Sequence, residues 1–392
     1  MRFDAIVAGL GPAGATAARV LASAGLNVLA LDKARFPRYK SCGGCVSTKI
    51  ERILDFDIKS VVEDSIYGAT FTYRSGRKMD IMSDRVVGYN VMRDRFDHYL
   101  VSKAKDAGVR IIEGFRVAGI KDNGGSVTVT GADGESYTGS FLVGADGASG
   151  FTGREYFKLD PKKAAVSITA EVPYDRGKRD FTGRLFIDFG SVPYGYGWIF
   201  PKERFLSVGI AGDAEKNGGR IKETFNDFAS SHFALEGLKA ERRLGWTVPT
   251  FYDGAGPSVK GRVLLTGDTG HLVDPFLGEG IYYAIRTAHA AADVIIERWR
   301  SGSADLAPYQ AWLEKEIYPE FKAAEKLSGL VYNHQRLWYS IIEKDPEIMR
   351  RFYNVIRGEE TSAEFYGWVY GKVKSKPWKL LRRWIDSRFL PA

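Results

Sequence analysis

The chain has 392 residues, 44% hydrophobic and 13% aromatic, which is enough to bury the cores of two or three folded domains and too apolar for a disordered chain. Its two cysteines, Cys42 and Cys45, cannot form a disulfide framework, and no signal peptide is visible, so a reducing, cytoplasmic compartment is expected. The net charge of +8 favours acidic partners or an anionic membrane surface, and nucleic acid is not expected because no nucleic-acid-binding motif accompanies the charge.

Residues 1–32 have the order strand, glycine-rich turn, helix and strand that is typical of a dinucleotide-binding unit. Gly9 allows a sharp turn out of the first strand, Gly11 lets the backbone approach a pyrophosphate, and Gly14 lets helix and strand pack closely. The helix that begins near Pro12 directs its free N–H groups at that pyrophosphate. Asp32 ends the second strand, where a carboxylate can bind ribose hydroxyls. The predicted nucleotide-binding turn is Gly9, Gly11, Pro12, Ala13 and Gly14.

A basic loop, residues 33–40, leads into Ser41-Cys42-Gly43-Gly44-Cys45. A Cys₄ zinc site is excluded because the chain has no other cysteine, and no mixed Cys/His site is indicated, so no metal is predicted. Two interpretations stay open. The cysteines form a redox dithiol couple, or they are buried thiols on a glycine turn that passes close to a flat group.

The segment from residue 66 to residue 147 contains a hairpin, a helix and several short strands. A hairpin turning at Ser75-Gly76 is followed by a helix from Asn90 to Ala107, and Arg93 near its start either contacts a phosphate or ribose or lies in solvent. Three short β-runs, residues 115–120, 126–130 and 135–138, precede a separate buried strand that ends at Asp146-Gly147. A nucleotide-binding unit followed by such a meander is not the order of an NAD dehydrogenase, and it indicates an FAD-binding domain.

Residues 165–248 alternate polar and apolar side chains with many turn glycines, which predicts a largely antiparallel sheet in a second domain. Within it, Tyr194, Tyr196, Trp198 and Phe200 occupy alternate positions and are therefore expected on one face of a strand. Such a row of aromatics either belongs to a buried core strand or forms the wall of an apolar cavity. We favour the wall, because glycines alternate with the aromatics and prolines bound the strand.

The chain then returns to the first domain with a strand that ends at Asp268, a glycine-rich loop and a helix from Ile281 to Arg300. A loop of this kind at a helix N-terminus can stabilise the negative charge of a reduced flavin. The last ninety or so residues are aromatic and predicted helical. From Pro377 on they have the pattern of an amphipathic helix, which either lies on a membrane surface or packs on its own domain.

Three separated motifs resemble the fingerprints of the p-hydroxybenzoate-hydroxylase-type flavoprotein fold: residues 9–14, residues 144–149, and Gly267-Asp268. Three others resemble the geranylgeranyl reductase family: the Lys-x-Cys-Gly-Gly loop at residues 40–44, the Tyr-x-Trp-x-Phe-Pro motif at residues 196–201, and the flavin loop and following helix at residues 278–284. The implied fold class is mixed α/β (α+β), with a Rossmann-type FAD-binding domain carrying a β-meander, an antiparallel-sheet substrate domain and a helical C-terminal region.

The expected limits are 1–62, 88–160 and 255–302 for a discontinuous FAD-binding domain, 63–87 and 161–254 for the substrate domain, and 303–392 for the helical region. By the resemblance, Asp32 and Arg93 hold the adenosine side, Asp268 holds the ribityl or pyrophosphate portion, and Cys42 lies beside the isoalloxazine. The FAD-binding residues implied are Gly9, Gly11, Pro12, Ala13, Gly14, Asp32, Lys33, Cys42, Gly43, Gly44, Arg93, Asp146, Gly147, Asp268, Pro275, Gly278, Glu279, Gly280 and Ile281.

The resemblance implies that reduced FAD saturates isolated C=C bonds of a polyprenyl lipid, with Tyr194, Tyr196, Trp198 and Phe200 lining the lipid site. Cys42 and Tyr196 are the candidate proton donors. The electron donor stays open between NAD(P)H and an acidic ferredoxin-like protein, and peripheral membrane contact is possible on charge. Two alternatives remain: a flavin-dependent monooxygenase or halogenase that acts on an aromatic substrate, and a flavin-bearing electron carrier that docks an acidic partner.

Overall fold

The computed structural model describes residues 2–160 and 164–375. Their β-strands are β1 (Arg2–Ala8), β2 (Val28–Asp32), β3 (Cys45–Ser47), β4 (Val62–Ile66), β5 (Gly68–Tyr73), β6 (Arg77–Met82), β7 (Gly88–Val91), β8 (Arg110–Glu113), β9 (Val117–Asp122), β10 (Val127–Gly131), β11 (Ser136–Gly144), β12 (Ala165–Pro173), β13 (Arg184–Phe189), β14 (Gly195–Pro201), β15 (Phe205–Asp213), β16 (Arg242–Val248), β17 (Val259–Lys260) and β18 (Val263–Leu265). Their α-helices are α1 (Pro12–Ser23), α2 (Arg93–Asp106), α3 (Ala214–Asn217), α4 (Ile221–Ser231), α5 (Ile281–Ser301), α6 (Ala307–Glu316), α7 (Tyr318–Tyr332), α8 (Gln335–Lys344), α9 (Glu347–Arg357) and α10 (Ser362–Ser375).

The first compact unit comprises Met1–Lys40, Arg93–Ala164 and Val248–Lys322. Its sheet has the strand order β17-β18-β11-β1-β2-β8, and the five strands from β18 to β8 are parallel. The β9–β10–β11 meander adds two antiparallel strands. Strands β1, β2 and β18 are largely buried and apolar, as is typical of a parallel sheet covered on both faces.

The carboxyl ends of these parallel strands form one edge of the sheet. The chain leaves β1 through α1 to reach β2 on one side, whereas β11 lies on the other side of β1. Strand order therefore reverses at β1, and such a switch point is where open α/β sheets bind ligands. This edge holds the glycine turn after β1, Asp32 at the end of β2, and the segments after β11 and β18.

The second compact unit comprises Ser41–Met92, Ala165–Thr247 and Ala323–Ala392, of which the structure describes residues up to 375. A seven-stranded sheet has the order β16-β12-β15-β14-β13-β5-β6, and from β12 to β6 its pairings are antiparallel except for that of β13 with β5. Its core on one face includes Phe186, Ile199, Phe225 and Phe228, the last two from the amphipathic helix α4. A smaller sheet has the strand order β3-β7-β4, and its strand β3 begins three residues after Cys42.

The predicted fold class is confirmed, but several predicted element limits differ. The expected break between residues 138 and 141 is absent, and β11 runs through it. Gly139 lies opposite Phe3 within the sheet, where a Cβ would come 2.9 Å from the side chain of Ile6. This glycine therefore permits close packing and does not mark a turn. The helix expected from Asn90 begins at Arg93, because Asn90 belongs to β7.

The compact units do not follow the expected domain limits everywhere. Residues 41–62 and 88–92 group with the second unit, residues 303–322 group with the first, and residues 323–375 group with the second. The amphipathic pattern expected from Pro377 lies outside the described residues. Within residues 2–160 and 164–375, no helix is both long enough and apolar enough to cross a membrane.

Candidate functional site

The glycine turn after β1 contains three glycines with different roles. Two of them have no room for a side chain, whereas the third has open space beside it. Gly9 has φ +94°, and a Cβ there would overlap the carbonyl oxygen of Ala145; a Cβ on Gly14 would overlap the carbonyl oxygen of Gly9. Gly11 is different. Its φ is −70°, and the nearest atom to a Cβ there is Nη2 of Arg38, 3.7 Å away. The space beside Gly11 at the start of α1 is therefore a cradle that a side chain would fill.

Asp32 fixes the geometry of this turn. Its Oδ2 accepts a hydrogen bond from the backbone N–H of Leu10 at 2.7 Å, and its Oδ1 accepts one from the N–H of Ala34 at 2.8 Å. The carboxylate therefore joins the end of β2 to the glycine turn, a role that the spacing alone did not predict. Each oxygen retains a second lone pair for a ribose hydroxyl. Lys33, the next residue, is exposed.

Two arginines share one buried carboxylate beside the cradle. Arg93 binds both oxygens of Asp97, with its Nε 2.8 Å from Oδ1, and Arg38 binds Oδ2 at 2.9 Å. The Asp97 side chain is 0% exposed and that of Arg93 only 9%, so the alternative that Arg93 lies in solvent is wrong. Two guanidinium groups against one carboxylate leave a net positive charge. The guanidinium of Arg38 lies next to Gly11, so part of this charge is beside the cradle. Arg38 was missed because a basic loop carries no signal of which arginine turns inward.

The segment after β11 holds a second acidic group. Asp146 Oδ2 accepts hydrogen bonds from the N–H and Oγ1 of Thr152, at 2.9 and 3.1 Å, which closes the turn into the next helical segment. Its buried Oδ1 has no partner among the described residues. Burial raises the pKa of Asp146, and the Thr152 hydrogen bonds and the charge of Lys33 oppose that rise. Gly147 donates its N–H to Thr269 Oγ1 at 2.7 Å, tying this turn to the one after β18.

The loop before α5 is organised by Asp274. Its Oδ1 accepts hydrogen bonds from the N–H groups of Phe276 and Leu277, at 2.7 and 2.8 Å, and its carbonyl accepts one from Gly278. The Asp274 side chain therefore stabilises a turn at the start of the segment from Pro275 to Gly280. This segment leads directly into α5, which begins at Ile281.

Asp268 lies at this helix start, and a Cβ on Gly280 would come 3.3 Å from its Oδ1. The starts of α1 and α5 converge at Gly267. Its φ is +57°, and a Cβ there would lie 3.1 Å from Ala13 and 3.2 Å from Ala284. Two helix N-termini therefore point to the same edge of the sheet, which favours a bound anion there.

These residues fit FAD. The cradle at Gly11 and the guanidinium of Arg38 suit a pyrophosphate, and the unpaired Oδ1 of Asp146 suits a hydroxyl donor. The glycine-rich loop at the start of α5 suits the anionic edge of a reduced flavin. The described residues of this unit thus offer groups suited to a pyrophosphate, to ribose or ribityl hydroxyls and to an anionic flavin edge.

In the second unit, the Cys42–Cys45 loop is anchored along its length. The carbonyl of Gly44 accepts hydrogen bonds from the N–H of Val91 at 2.8 Å and from Lys202 Nζ at 3.0 Å. The Gly43 carbonyl accepts a second bond from Lys202 at 2.7 Å, and the Cys42 carbonyl accepts one from Ser207 Oγ at 3.3 Å. Gly44 has φ +69°, and a Cβ there would overlap the Val91 carbonyl, so only glycine fits.

Both cysteines are free thiols and half-buried. The Sγ of Cys42 accepts a weak hydrogen bond from the N–H of Gly44 at 3.3 Å, which helps to hold the loop closed. The structure therefore shows a glycine turn that carries thiols, and the dithiol couple stays a prediction. No sequence signal pointed to Lys202 as an anchor, although it directly follows the Tyr-x-Trp-x-Phe-Pro motif.

The aromatic strand presents one continuous row of rings. Ring centroids of Tyr196 and Trp198 are 6.0 Å apart and those of Trp198 and Phe200 are 6.2 Å apart, so these three side chains share a face of β14 as predicted. Gly43 lies against this face: a Cβ there would come 2.8 Å from the Phe200 ring and 3.1 Å from Trp198 Nε1. Trp198 Nε1 is buried without an acceptor among the described residues. Gly209 on β15 leaves room for the indole, because a Cβ there would overlap it.

Tyr194 stands outside this strand row. It precedes β14 and has φ +47°, a left-handed conformation that breaks the period-two alternation. Its ring instead contacts that of Tyr332 at 5.7 Å, and Tyr332 also stacks on Tyr196 at 6.4 Å. Tyr332, at the end of α7, therefore extends the row, and Lys216 lies 3.8 Å above the Tyr194 ring. No local pattern in the sequence could have joined residues so far apart.

Comparison with known proteins agrees with this geometry. Residues 2–160 match the FAD binding domain family, which confirms the predicted FAD cofactor. The chain is 31% identical over 352 residues to a geranylgeranyl diphosphate reductase of Rhodobacter capsulatus, with 85% of each chain covered.

Two solved structures have a similar fold. A geranylgeranyl bacteriochlorophyll reductase-like protein of Thermoplasma acidophilum has a TM-score of 0.74 and 21% identity, with 98% of this chain and 99% of that chain covered. A flavin-dependent brominase has a TM-score of 0.75 and 16% identity, with 96% and 100% covered. At such low identity, both likenesses show the fold alone.

Proposed function

The chain belongs to the geranylgeranyl reductase family of FAD-dependent oxidoreductases, and from this premise we propose that it saturates C=C bonds of a polyprenyl lipid. The proposed substrate is a geranylgeranyl-type chain that lies along the aromatic row of β14.

One observation carries the proposal. The Cys42–Cys45 loop and the aromatic row are in direct contact, since Gly43 lies against Trp198 and Phe200. An apolar wall beside a loop that carries a weak acid suits the reduction of a hydrocarbon chain. The wall excludes water and takes up the chain, and the loop brings a weak acid to it.

The chemistry assigns distinct tasks to these residues. Reduced FAD, when bound, supplies the hydride that saturation of a double bond consumes. An unactivated alkene must also gain a proton, and positive charge develops on the more substituted carbon. The ring faces of Trp198 and Phe200 stabilise that charge through their π-electrons. Cys42 and Tyr196 are the candidate proton donors, because Tyr196 belongs to the row, Cys42 precedes Gly43 in the loop that contacts the row, and both carry an acidic hydrogen.

The electron donor of the proposed reaction is NAD(P)H or an acidic ferredoxin-like protein. The chain's net charge of +8 supports attraction of an acidic carrier or of an anionic membrane surface that holds the lipid. Peripheral membrane contact is part of this proposal and would bring the enzyme to a substrate that is poorly soluble in water.

The test is anaerobic turnover with dithionite as reductant and three probes: geranylgeranyl diphosphate, a geranylgeranylated glycerophospholipid and a prenylquinone. Mass spectrometry of the extracted lipid should show a gain of two hydrogen atoms per reaction in at least one probe. Trp198→Ala should lower this activity at least tenfold. The matched control is Trp246→Ala, which removes a tryptophan from the edge strand β16 of the same sheet and should leave the activity within about twofold.

Two outcomes contradict the proposal. Equal losses in both tryptophan variants would mean that the row on β14 has no special part in lipid binding. Oxygen consumption with hydroxylation or halogenation of an aromatic compound, and no change in any prenyl probe, would place the protein with the monooxygenases and halogenases that share its fold.

A further inference from the structure

Lys202 is a lysine whose ammonium group is enclosed by the protein. The residue is 1% exposed, and it follows Pro201 at the end of the aromatic strand. Its backbone is fixed on both sides: its N–H donates to the Phe205 carbonyl at 2.7 Å, and its carbonyl accepts from the Tyr174 hydroxyl at 2.8 Å. Fully buried lysines are rare because the charged form loses its hydration. This lysine therefore calls for a reason beyond packing.

Among the described residues, the ammonium donates its hydrogen bonds to the Cys42–Cys45 loop. It donates to the carbonyls of Gly43 and Gly44 at 2.7 and 3.0 Å, and a Cβ on Gly44 would come 3.0 Å from Nζ. These hydrogen bonds hold the loop against the side of β14 that carries Trp198 and Phe200. No sequence motif assigns this role, and an uncharged residue could support a loop without the cost of a buried ammonium.

We propose that Lys202 is a positioning residue of the reaction: its ammonium holds the Cys42–Cys45 loop against the aromatic row and places a positive charge beneath both thiols. Its part in lipid reduction rests on the proposed function, whereas its effect on the loop and on the thiols does not.

The electrostatics support this assignment. Burial lowers the pKa of Lys202 to about 8, and negative charge on Cys45 and then on Cys42 opposes that shift. The ammonium and the two thiols are therefore electrostatic neighbours. The negative charges of Glu171 on β12 and Glu63 on β4 also oppose the fall in the pKa of Lys202. The charge beneath the loop is therefore set by one ammonium, two thiols and two carboxylates.

Thiol alkylation tests the proposal without any lipid. The second-order rate of iodoacetamide alkylation is measured across the neutral to alkaline pH range in two single-thiol backgrounds, Cys45→Ser to report Cys42 and Cys42→Ser to report Cys45. Lys202→Gln retains amide donors for the loop carbonyls but carries no charge, and Lys202→Met has neither. Because the thiolate is the reacting form, both variants should slow alkylation at pH 7 by about fivefold or more, with the rate recovered at higher pH.

Ser207→Ala is the matched control, because it removes a hydrogen bond to the same loop, from Oγ to the Cys42 carbonyl, without changing any charge. It should leave both pH profiles within about twofold of the parent. Retention of bound FAD verifies that each variant is folded. If Lys202→Met does not fold, the alkylation profile of Lys202→Gln decides the test. Unchanged profiles in Lys202→Gln would overturn the proposal, as would equal shifts in Ser207→Ala. Neither result would depend on whether the protein reduces a prenyl lipid.

Discussion

Replacing the buried lysine should change how stability depends on pH. In the folded protein the pKa of Lys202 falls from 10.5 to about 8, chiefly because burial disfavours the charged form. At about 1.4 kcal/mol per pKa unit, this shift corresponds to about 3 kcal/mol. Between pH 8 and 10.5 the unfolded chain retains a proton that the folded protein has released. The contribution of this group to the unfolding free energy therefore rises with pH through that window.

The measurement is urea denaturation of the wild type and Lys202→Met at pH 7 and pH 9.5, followed by tryptophan fluorescence. The difference in unfolding free energy, wild type minus variant, should increase by about 2 kcal/mol between these two pH values. Other titrating groups are common to both proteins and cancel in the difference. Lys178→Met, which removes a lysine whose side chain is 83% exposed, is the control and should show no such increase. A constant difference for Lys202→Met would refute the claim that a buried ammonium lies beneath the loop.

Gly11→Val should fold but lose at least tenfold in FAD affinity, because the side chain fills the open cradle; equilibrium dialysis with FAD measures this, and full FAD retention would show that the pyrophosphate binds elsewhere. Cys42→Ser should lower lipid turnover while FAD stays bound, and Cys45→Ser should lower it much less. Equal, severe losses in both steady-state assays would favour a dithiol couple. Trp198→Ala should weaken lipid binding by about 1–3 kcal/mol, roughly 5- to 150-fold, and an unchanged dissociation constant in lipid titration would exclude the row as the binding wall.

Local patterns predicted the parts of the fold that depend on local physics. The glycine turn of residues 9–14 was predictable because its spacing belongs to one strand–turn–helix unit, in which Gly9 and Gly14 leave no room for a side chain and Gly11 leaves space for a ligand. The shared face of Tyr196, Trp198 and Phe200 followed from the two-residue repeat of a strand. The same repeat failed at Tyr194, because its left-handed φ places it outside the strand.

The rest of the candidate site depends on contacts between distant parts of the chain. Arg38 reaches Asp97, Tyr332 stacks on Tyr196, and Lys202 binds the loop of residues 42–45. A basic loop, a helical tyrosine and a lysine after a proline carry no local signal of these partners. Gly139 in β11 led to an error of the opposite kind, because a local signal was present but was interpreted wrongly. A glycine often marks a turn, whereas here it permits close packing between strands.

Anaerobic reoxidation of the reduced enzyme tests the central claim most directly. The flavin is reduced with a stoichiometric amount of dithionite, mixed with a geranylgeranyl lipid under argon and followed by stopped-flow absorbance, and the lipid is then analysed by mass spectrometry. The account predicts that the flavin absorbance returns without oxygen and that one double bond is saturated for each flavin reoxidised. A flavin that stays reduced with each of the three prenyl probes, yet reoxidises with oxygen while it modifies an aromatic compound, would contradict it.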